Sequence, residues 1–415
     1  MKNVNEIPVL LLTGYLGSGK TTLVNRILRN TDGIRFAVIV NDIGEVNIDA
    51  SLIAKGGVVD MSDDSLVSLQ NGCICCTLQT DLIQQLDEIA STRKFDYILI
   101  EASGICEPEP IAQSICSMPQ LGPVSTSGIY PHLDCVVTVV DALRLRDEFC
   151  SGEDLNRDLV SEENLANLVI RQIEFCDKIL LNKSAEVEVG DLKKIMRIIR
   201  ELNHKAEIVN CNYADVPMDI LLHTGLFSYS ETEGGAGWIA GLESEVKDNH
   251  HSEDHDEYGH HHHGEHGDHH HDCDCPEGHC HCGHHHHGEG EAEEYGICTF
   301  VYFRREPFDI SKFDWFVAKR LPSNVIRAKG LCYFTDDRDM SFLFDQAGRQ
   351  VSLSQAGRWY ATAPAEELAE MSLRDSTIMK DWDPVYGDRM QKIVFIGQNM
   401  DKQQIIRDLD CCLTK

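Results

Sequence analysis

The sequence GYLGSGKT, from Gly14 to Thr21, constrains the fold of this chain more than any other stretch. It follows the apolar run PVLLLT and precedes a segment with helical periodicity over residues 20–30. In that setting, backbone N–H groups and the helix N-terminus cradle a phosphate, Lys20 neutralises its oxygens and the Thr21 hydroxyl ligates Mg²⁺. A glycine-rich turn that arose by chance is the alternative, and the flanking strand and helix argue against it. The motif therefore predicts a nucleotide site that includes Gly14 and Gly19.

Hydrophobic periodicity predicts the fold around this loop. From residue 8 to about 210, short apolar runs alternate with longer amphipathic ones, which is typical of a parallel sheet covered by helices. The sequence thus predicts a doubly wound α/β domain. The expected strands are PVLLLT, FAVIVN, YILIE, CVVTVV and KILLN, and the expected helices cover residues 20–30, 78–91, 160–175 and 191–202.

Charge and length limit the partners and the compartment. The 415-residue chain has a formal net charge of −31, and residues 243–294 hold sixteen Asp and Glu against one Lys. Nucleic acids and anionic membranes bind basic surfaces, so neither is an expected partner. The N-terminus resembles a first buried strand more than a signal peptide, and no window has the length of a membrane span. We therefore expect a cytoplasmic protein.

Composition divides the chain into three parts. Residues 1–228 form the predicted nucleotide-binding domain. Residues 229–294 contain almost no aliphatic side chains to bury, so we expect a linker that is disordered without a ligand. Residues 295–415 show a strand and a helix, then strand-like runs at VIRAKGLCYFT, SFLFDQ and KIVFIG and a closing helix at about 401–412. This pattern predicts a smaller C-terminal α+β domain.

Acidic residues after two of the predicted strands complete the candidate catalytic set. A phosphate loop needs an acid at the end of a neighbouring strand for the magnesium shell, and DYILIEASG offers Glu101 there. Gly104 follows, with a backbone N–H that can sense a γ-phosphate. In NDIGEVNID, Asp42 or Glu45 can reach Mg²⁺, the attacking water or another metal; a solvated turn is the alternative.

The candidate base-binding segment is LLNKSAEV. Asn182 and Lys183 match the first half of the NKxD signature that reads guanine, whereas position 185 is alanine in place of the aspartate. Each hydrogen bond lost to that charged acceptor is worth about 1.5–3 kcal/mol, which weakens discrimination against adenine. Glu186, one position further on, is a candidate substitute. We expect GTP as the substrate.

Three cysteines, Cys73, Cys75 and Cys76, lie within four positions of the polar segment QNGCICCTLQ. Three thiolates can bind zinc and leave a fourth position open, which makes the metal exchangeable. Buried small residues or a redox pair are the alternatives. Isolated cysteines in apolar stretches are interpreted as core residues. These are Cys135, Cys176, Cys298 and Cys332.

A second metal-binding segment is predicted in the linker. Seventeen of the chain's twenty histidines lie between His250 and His287. Imidazoles beside thiolates and carboxylates form overlapping sites for zinc, nickel or cobalt, with modest affinity and fast exchange. An expression tag is the alternative, but the tract is internal and irregular. The candidate ligands are His260, His261, His262, His263, Cys273, Cys275, Cys280, Cys282, His284, His285, His286 and His287.

Taken together, GYLGSGKTT, NDIGEVNID, NGCICC, LIEASG, LLNK and GDRMQKIVFIGQ resemble the CobW-type GTPases, a family of metallochaperones. The resemblance covers nearly the whole chain except the histidine tract. It implies GTP hydrolysis coupled to delivery of a metal, commonly zinc, to a client metalloprotein. Carried over by position, it implies phosphate and Mg²⁺ binding by Gly17, Gly19, Lys20, Thr21 and Thr22. Ser18, in the same loop, is a further candidate for binding the nucleotide. The resemblance also implies switch residues Asp42 and Glu45, γ-phosphate contacts at Glu101 and Gly104, base contacts at Asn182 and Lys183, and metal ligands Cys73, Cys75 and Cys76.

Two other functions compete with this one. A metal buffer with a vestigial nucleotide domain would show no coupling between zinc and hydrolysis. A small-molecule kinase shares the phosphate loop but leaves the three cysteines and the histidine tract unexplained. The leading hypothesis is therefore a GTP- and Mg²⁺-dependent zinc chaperone, with Co²⁺ or Ni²⁺ as other candidate metals and a second copy of the chain as a candidate partner.

Overall fold

The computed structural model describes two β-sheets and the helices around them. The described residues are 6–29, 33–40, 66–68, 79–120, 128–149, 163–229, 296–348, 350–374, 376–379 and 382–414. The whole predicted histidine tract lies outside them. No helix in the described ranges combines the length and the apolar character that crossing a bilayer requires.

The N-terminal sheet has seven parallel strands in the order β3-β2-β4-β1-β5-β6-β7. This order confirms the predicted doubly wound α/β domain, because the chain crosses from strand to strand through helices. The five expected strands are all present, and β3 and β7 are two further strands. Their bounds are β1 Glu6–Thr13, β2 Phe36–Val40, β3 Leu66–Ser68, β4 Tyr97–Glu101, β5 Tyr130–Asp141, β6 Lys178–Asn182 and β7 Glu207–Asn210.

The central strands form because their side chains are buried on both faces of the sheet. Every residue of β2, β4 and β6 is buried. Along β1, Val9 and Leu11 pack in one core, and Leu10 and Leu12 pack in the core on the opposite face. Each such side chain contributes about 1.5–3 kcal/mol when it leaves water. Nearly continuous apolar runs are therefore required here, as the sequence indicated.

Helices cover both faces of this sheet. All four expected helices are found, and two short ones, α3 and α4, were not predicted. Helix α3 begins with a proline at its first turn, a position that proline tolerates because its missing N–H has no partner there in any case. The bounds are α1 Lys20–Arg29, α2 Gln79–Thr92, α3 Pro108–Ser117, α4 Ala142–Phe149, α5 Glu163–Glu174 and α6 Val189–Leu202.

The C-terminal sheet has five antiparallel strands in the order β11-β10-β9-β12-β8. Helices α7 and α9 pack on one face over an aromatic core, in which Phe313 of α7 stacks on Phe308 at 4.9 Å and meets Phe344 at 5.3 Å. The predicted α+β class is confirmed; strand β11 and helix α8 are additional. The bounds are β8 Ile297–Arg304, α7 Ile310–Lys319, β9 Val325–Phe334, β10 Asp337–Ala347, β11 Gln350–Arg358, α8 Ala365–Arg374, β12 Gln391–Gln398 and α9 Lys402–Asp410.

Part of the other face of the C-terminal sheet packs against the N-terminal sheet's helices. Ile297, Ile326, Ala347 and Ile396 belong to the same buried cluster as the apolar residues of α5 and α6. At this junction, Thr299 donates a hydrogen bond to Glu201 of α6 at 2.6 Å. The two sheets therefore share a core through these residues.

Candidate nucleotide-binding site

The candidate site lies at the carboxyl edge of the N-terminal sheet. Because all its strands are parallel, their carboxyl ends meet at one edge, where loops from an α/β sheet form ligand sites. Thr13 ends β1, Glu101 ends β4, Asp141 ends β5 and Asn182 ends β6. These four strands are adjacent, in the order β4-β1-β5-β6. The topology thus brings together polar residues that are far apart in sequence.

The side chain of Lys20 folds back onto the first residues of its own loop. Its ammonium group donates to the carbonyl oxygens of Gly14 at 2.7 Å and Tyr15 at 3.2 Å. Lys20 is only 7% exposed, and it is the first residue of helix α1. Its positive charge is therefore held at the helix N-terminus, where backbone N–H groups and the helix dipole also favour an anion.

The loop geometry requires glycine at Gly19. Its φ of +115° belongs to the left-handed region, and a Cβ there would lie 2.5 Å from the Asn182 amide nitrogen. Nearby, the buried Ser18 hydroxyl oxygen has no hydrogen-bond partner among the described residues. A buried hydroxyl without a partner is costly, and a phosphate oxygen would satisfy it. The described geometry therefore fits a nucleotide phosphate in this loop.

Thr21 and Glu101 meet at the same edge. The Thr21 hydroxyl donates to Glu101 Oε1 at 2.8 Å, and Glu101 is 1% exposed. A hydroxyl and a carboxylate oxygen are ligands that Mg²⁺ accepts beside phosphate oxygens. The two residues predicted to hold magnesium are thus in direct contact, although 80 positions separate them.

Gly104 touches the phosphate loop. A Cβ at Gly104 would lie 2.7 Å from the backbone nitrogen of Leu16, so a larger residue would push the two segments apart. The backbone N–H of Ala102 donates to Leu12 in β1 at 2.9 Å. The segment that follows Glu101 is therefore packed directly on the predicted phosphate loop.

Asn182 connects several segments on the side where base binding is predicted. Its amide nitrogen donates to the Ser18 carbonyl at 2.8 Å, and its amide oxygen accepts from the backbone N–H of Ala214 at 3.0 Å. One side chain thus joins the phosphate loop to the segment after β7. The backbone of Lys183 is left-handed, with φ of 59°, and its ammonium group lies 2.5 Å from Asp141.

Two residues near Asn182 and Lys183, namely Asp141 and Asn212, were not identified from the sequence. Asp141 ends a predicted apolar strand, and that pattern, the same one that pointed to Glu101, could have identified it. Asn212 accepts a hydrogen bond from the backbone N–H of Ala185 at 2.9 Å, close to where the missing aspartate would stand. No local pattern marks Asn212, because the contact depends on how the segment after β7 returns to β6.

Other predicted site residues lie outside the described residues. They are Asp42, Glu45, Cys73, Cys75 and Cys76, with every candidate ligand between His260 and His287. Among the described residues, no group of three or more His, Cys, Asp or Glu is arranged to hold a metal ion.

The isolated cysteines behave mainly as core residues. Cys135 and Cys332 are fully buried and Cys176 nearly so, whereas Cys298 is only partly buried. Burial raises the pKa of Cys135 and of Cys332 to about 12. Since the thiolate is the metal ligand, such protonated thiols are poor ligands. The prediction is confirmed for three of the four.

The fold and the site define a phosphate-loop nucleoside triphosphatase of the parallel α/β class. Residues 8–210 match the model of the CobW/HypB/UreG nucleotide-binding domain, and residues 297–413 match the model of the cobalamin synthesis protein CobW C-terminal domain. The chain belongs to the CobW/HypB/UreG family of GTPases. This confirms the resemblance that the motifs indicated.

One curated relative matches this chain over its whole length. A zinc-regulated GTPase metalloprotein activator 1 from Dictyostelium discoideum is 32% identical over 428 residues, covering 100% of this chain and 81% of that protein. A zinc chaperone CobW from Sinorhizobium is 27% identical, covering 61% of this chain and 69% of that protein. The solved structure of Zn(II)-bound YjiA GTPase from E. coli aligns with 99% of this chain and 100% of its own, at 22% identity and a TM-score of 0.39.

Proposed function

We propose that this protein is a metallochaperone that hydrolyses GTP with Mg²⁺ and uses the nucleotide cycle to deliver zinc to a client metalloprotein. The contact between Thr21 and Glu101 carries the proposal, because it pairs the two expected magnesium ligands at the edge where the phosphate loop begins. The names of the relatives support zinc as the metal. The three-part division at residues 228 and 294 is part of this proposal.

In the proposed mechanism, Lys20 and the N-terminus of α1 neutralise the β- and γ-phosphates. Thr21 and Glu101 would hold Mg²⁺, which would supply positive charge against the charge that develops on the phosphate oxygens during hydrolysis. The Gly104 N–H senses the γ-phosphate from its position against the loop. Asp42 and Glu45, which follow β2, are assigned to the switch and to orienting water or metal.

Guanine is the proposed base. Asn182 holds the phosphate loop and the segment after β7 together, and Lys183 is paired with Asp141. These contacts support the proposal that both residues frame the base. Ala185 supplies no carboxylate for the guanine N1 and N2 donors. The exposed Glu186 is the candidate substitute on the same turn.

The metal motif is proposed to communicate with this site through β3. Strand β3 is parallel to β2, which is parallel to β4, so Ser68 ends at the same edge as Glu101. Cys73 is the fifth residue after Ser68, and five extended residues span at most about 18 Å. Chain connectivity therefore allows the three thiols to respond to the nucleotide, which is the requirement for coupled release.

Zinc titration in two nucleotide states tests the proposal. Residues 250–287 would be replaced by a Gly/Ser linker of equal length, so that the tract does not compete for metal. We expect one tight zinc site whose affinity differs at least about tenfold between the GTPγS and GDP states, since a switch needs a differential affinity. Changing Cys73, Cys75 and Cys76 to serine should abolish it. Equal affinity in both states would contradict nucleotide-driven delivery and favour a metal buffer.

A further inference from the structure

Helix α5 contacts the loop of residues 102–107, which contains Gly104. Gln172 of α5 is 1% exposed, and its amide nitrogen donates to the Cys106 carbonyl at 3.0 Å. Its own backbone carbonyl accepts from the Thr138 hydroxyl at 2.8 Å. Gln172 therefore holds the same loop that contacts the phosphate loop through Gly104.

The same contacts reach the base of the phosphate loop. The hydroxyls of Thr138 and Thr13 are hydrogen-bonded at 2.7 Å, and both residues are buried. Thr13 is the last residue of β1, immediately before Gly14. Two hydrogen bonds thus connect α5 to the strand end from which the phosphate loop starts.

Arg171, the neighbour of Gln172, connects this loop with the C-terminal sheet. One guanidinium nitrogen lies 3.6 Å from Glu107, the residue that follows Cys106, and another lies 3.5 Å from Asp345 of β10. Both separations are those of ion pairs longer than a hydrogen bond. Adjacent residues of one helix therefore contact the loop and the other sheet.

Arg327 fixes α5 to the C-terminal sheet. This arginine of β9 is 1% exposed and lies 2.6 Å from Glu174 at the end of α5 and 2.7 Å from Asp345. Burial opposes ionisation of Asp345, but the hydrogen bonds and the charge of Arg327 hold the pKa of Asp345 below its usual range. Breaking one partner of such a buried network leaves an uncompensated charge, so the network resists separation of the sheet from α5.

We propose that Arg171 and Gln172 are positioning residues that couple the loop of residues 102–107 to the C-terminal sheet. A nucleotide that moves this loop then biases the orientation of the C-terminal sheet, and a partner that moves the sheet changes nucleotide affinity by the same free energy of coupling. This inference deepens the proposed function, because it assigns to the C-terminal sheet the regulation of that GTPase site.

Interdomain distance and kinetics test this coupling in the full-length chain. Probes would be introduced as non-canonical amino acids at the exposed positions Lys193 on α6 and Leu373 on α8, since native cysteines preclude thiol labelling. We expect different distance distributions with GDP and GTPγS. In Arg171→Ala and Gln172→Leu, the difference should disappear and kcat should fall about fivefold to tenfold, with KM for GTP changed less than about twofold.

Two variants separate coupling from general loss of structure. Arg171→Lys should retain most of the nucleotide-dependent distance change, because contacts of this length depend on charge more than on guanidinium shape. Thr299→Val removes a hydrogen bond of the same interface outside this set of contacts. It should leave both the distance change and kcat as in the unmodified chain.

The inference is overturned if Arg171→Ala and Gln172→Leu keep the distance change and kcat. It is also overturned if Thr299→Val has the same effect as Arg171→Ala, since that would indicate weakened docking alone. The proposed function fails separately, if the chain with residues 250–287 replaced by the Gly/Ser linker shows no zinc affinity difference between nucleotide states. The distance measurement needs only nucleotide binding, so the two failures are distinguishable.

Discussion

The two sheets of this protein use polar residues in different ways. In the parallel N-terminal sheet, the carboxyl ends of the strands lie at one edge. This arrangement brings Thr13, Glu101, Asp141 and Asn182 close together. In the antiparallel C-terminal sheet, neighbouring strands end at opposite edges, so no comparable set is collected by topology. Its most buried charge, Arg327, lies on a sheet face and is paired with α5.

This difference assigns nucleotide chemistry to the parallel sheet and the coupling of motion to the antiparallel sheet. A parallel sheet concentrates loops and helix N-termini at one edge, which suits phosphate and metal binding. The antiparallel sheet has one face covered by an aromatic core and part of the other packed on the N-terminal domain. Such a sheet is stable and can move in response to changes in the N-terminal domain. We therefore expect changes in the C-terminal core to affect stability and changes at the parallel edge to affect catalysis.

The largest expected effect concerns the aromatic core of the C-terminal sheet. Phe313 contacts Phe308, Phe316, Phe334 and Phe344 and is 4% exposed. Phe313→Ala should lower the free energy of unfolding by about 3–5 kcal/mol, because it removes a large side chain and leaves a cavity. Denaturant titration would measure the loss. GTP affinity below the transition should change less than about twofold; a large change there would contradict the division of roles.

The next effect concerns the parallel edge. Lys20→Ala removes the cation held at the phosphate loop and should lower kcat/KM for GTP by about 10²–10³-fold, because its charge stabilises the transferring phosphoryl group. Phosphate release assays would measure the loss. Lys193→Ala, an exposed lysine on α6, is the matched control and should leave the rate unchanged. Activity within threefold of the original in Lys20→Ala would place the chemistry elsewhere.

A smaller effect concerns the base. Ala185→Asp restores the carboxylate that accepts from the guanine N1 and N2 donors and should raise the preference for GTP over ITP by about tenfold or more. Competition binding with both nucleotides would measure it. Glu186→Gln in the original chain tests the candidate substitute and should lower that preference. No gain in Ala185→Asp would mean that the base does not approach position 185.

The smallest effect concerns the opposite edge of the parallel sheet. Burial raises the pKa of Asp177 from 3.8 to about 6 while it accepts a hydrogen bond from Val136. The folded chain thus binds more protons than the unfolded chain between pH 4 and 6, so its stability falls as pH rises through this window. Asp177→Asn keeps the acceptor and should remove this fall, of which about 1 kcal/mol lies between pH 5.5 and 7. Unfolding curves at pH 5.5 and 7 would show it; an unchanged slope would contradict the assignment.

Much of the fold could be predicted because its determinants are local. The apolar runs of β1, β2, β4, β5 and β6 and the periodicity of the longer helices are readable in short windows. Short elements such as β3 and α4 were missed, because a few residues give little periodicity. The edge strand β11 was also missed, although Val351 and Leu353 alternate with polar residues there; nearly the whole strand is exposed.

The sequence by itself determined the phosphate loop, the acid at the end of β4 and the family, since each depends on residue types at short, fixed spacing. Only the tertiary structure decided that Thr21 contacts Glu101, that Asn212 lies against Ala185, and that Arg327 pairs with Glu174 across 153 positions. Those contacts arise from strand order and from the packing of one sheet on another. The residues of each pair are far apart in the chain and come into contact only when the cores form. No short stretch of sequence therefore predicts these contacts.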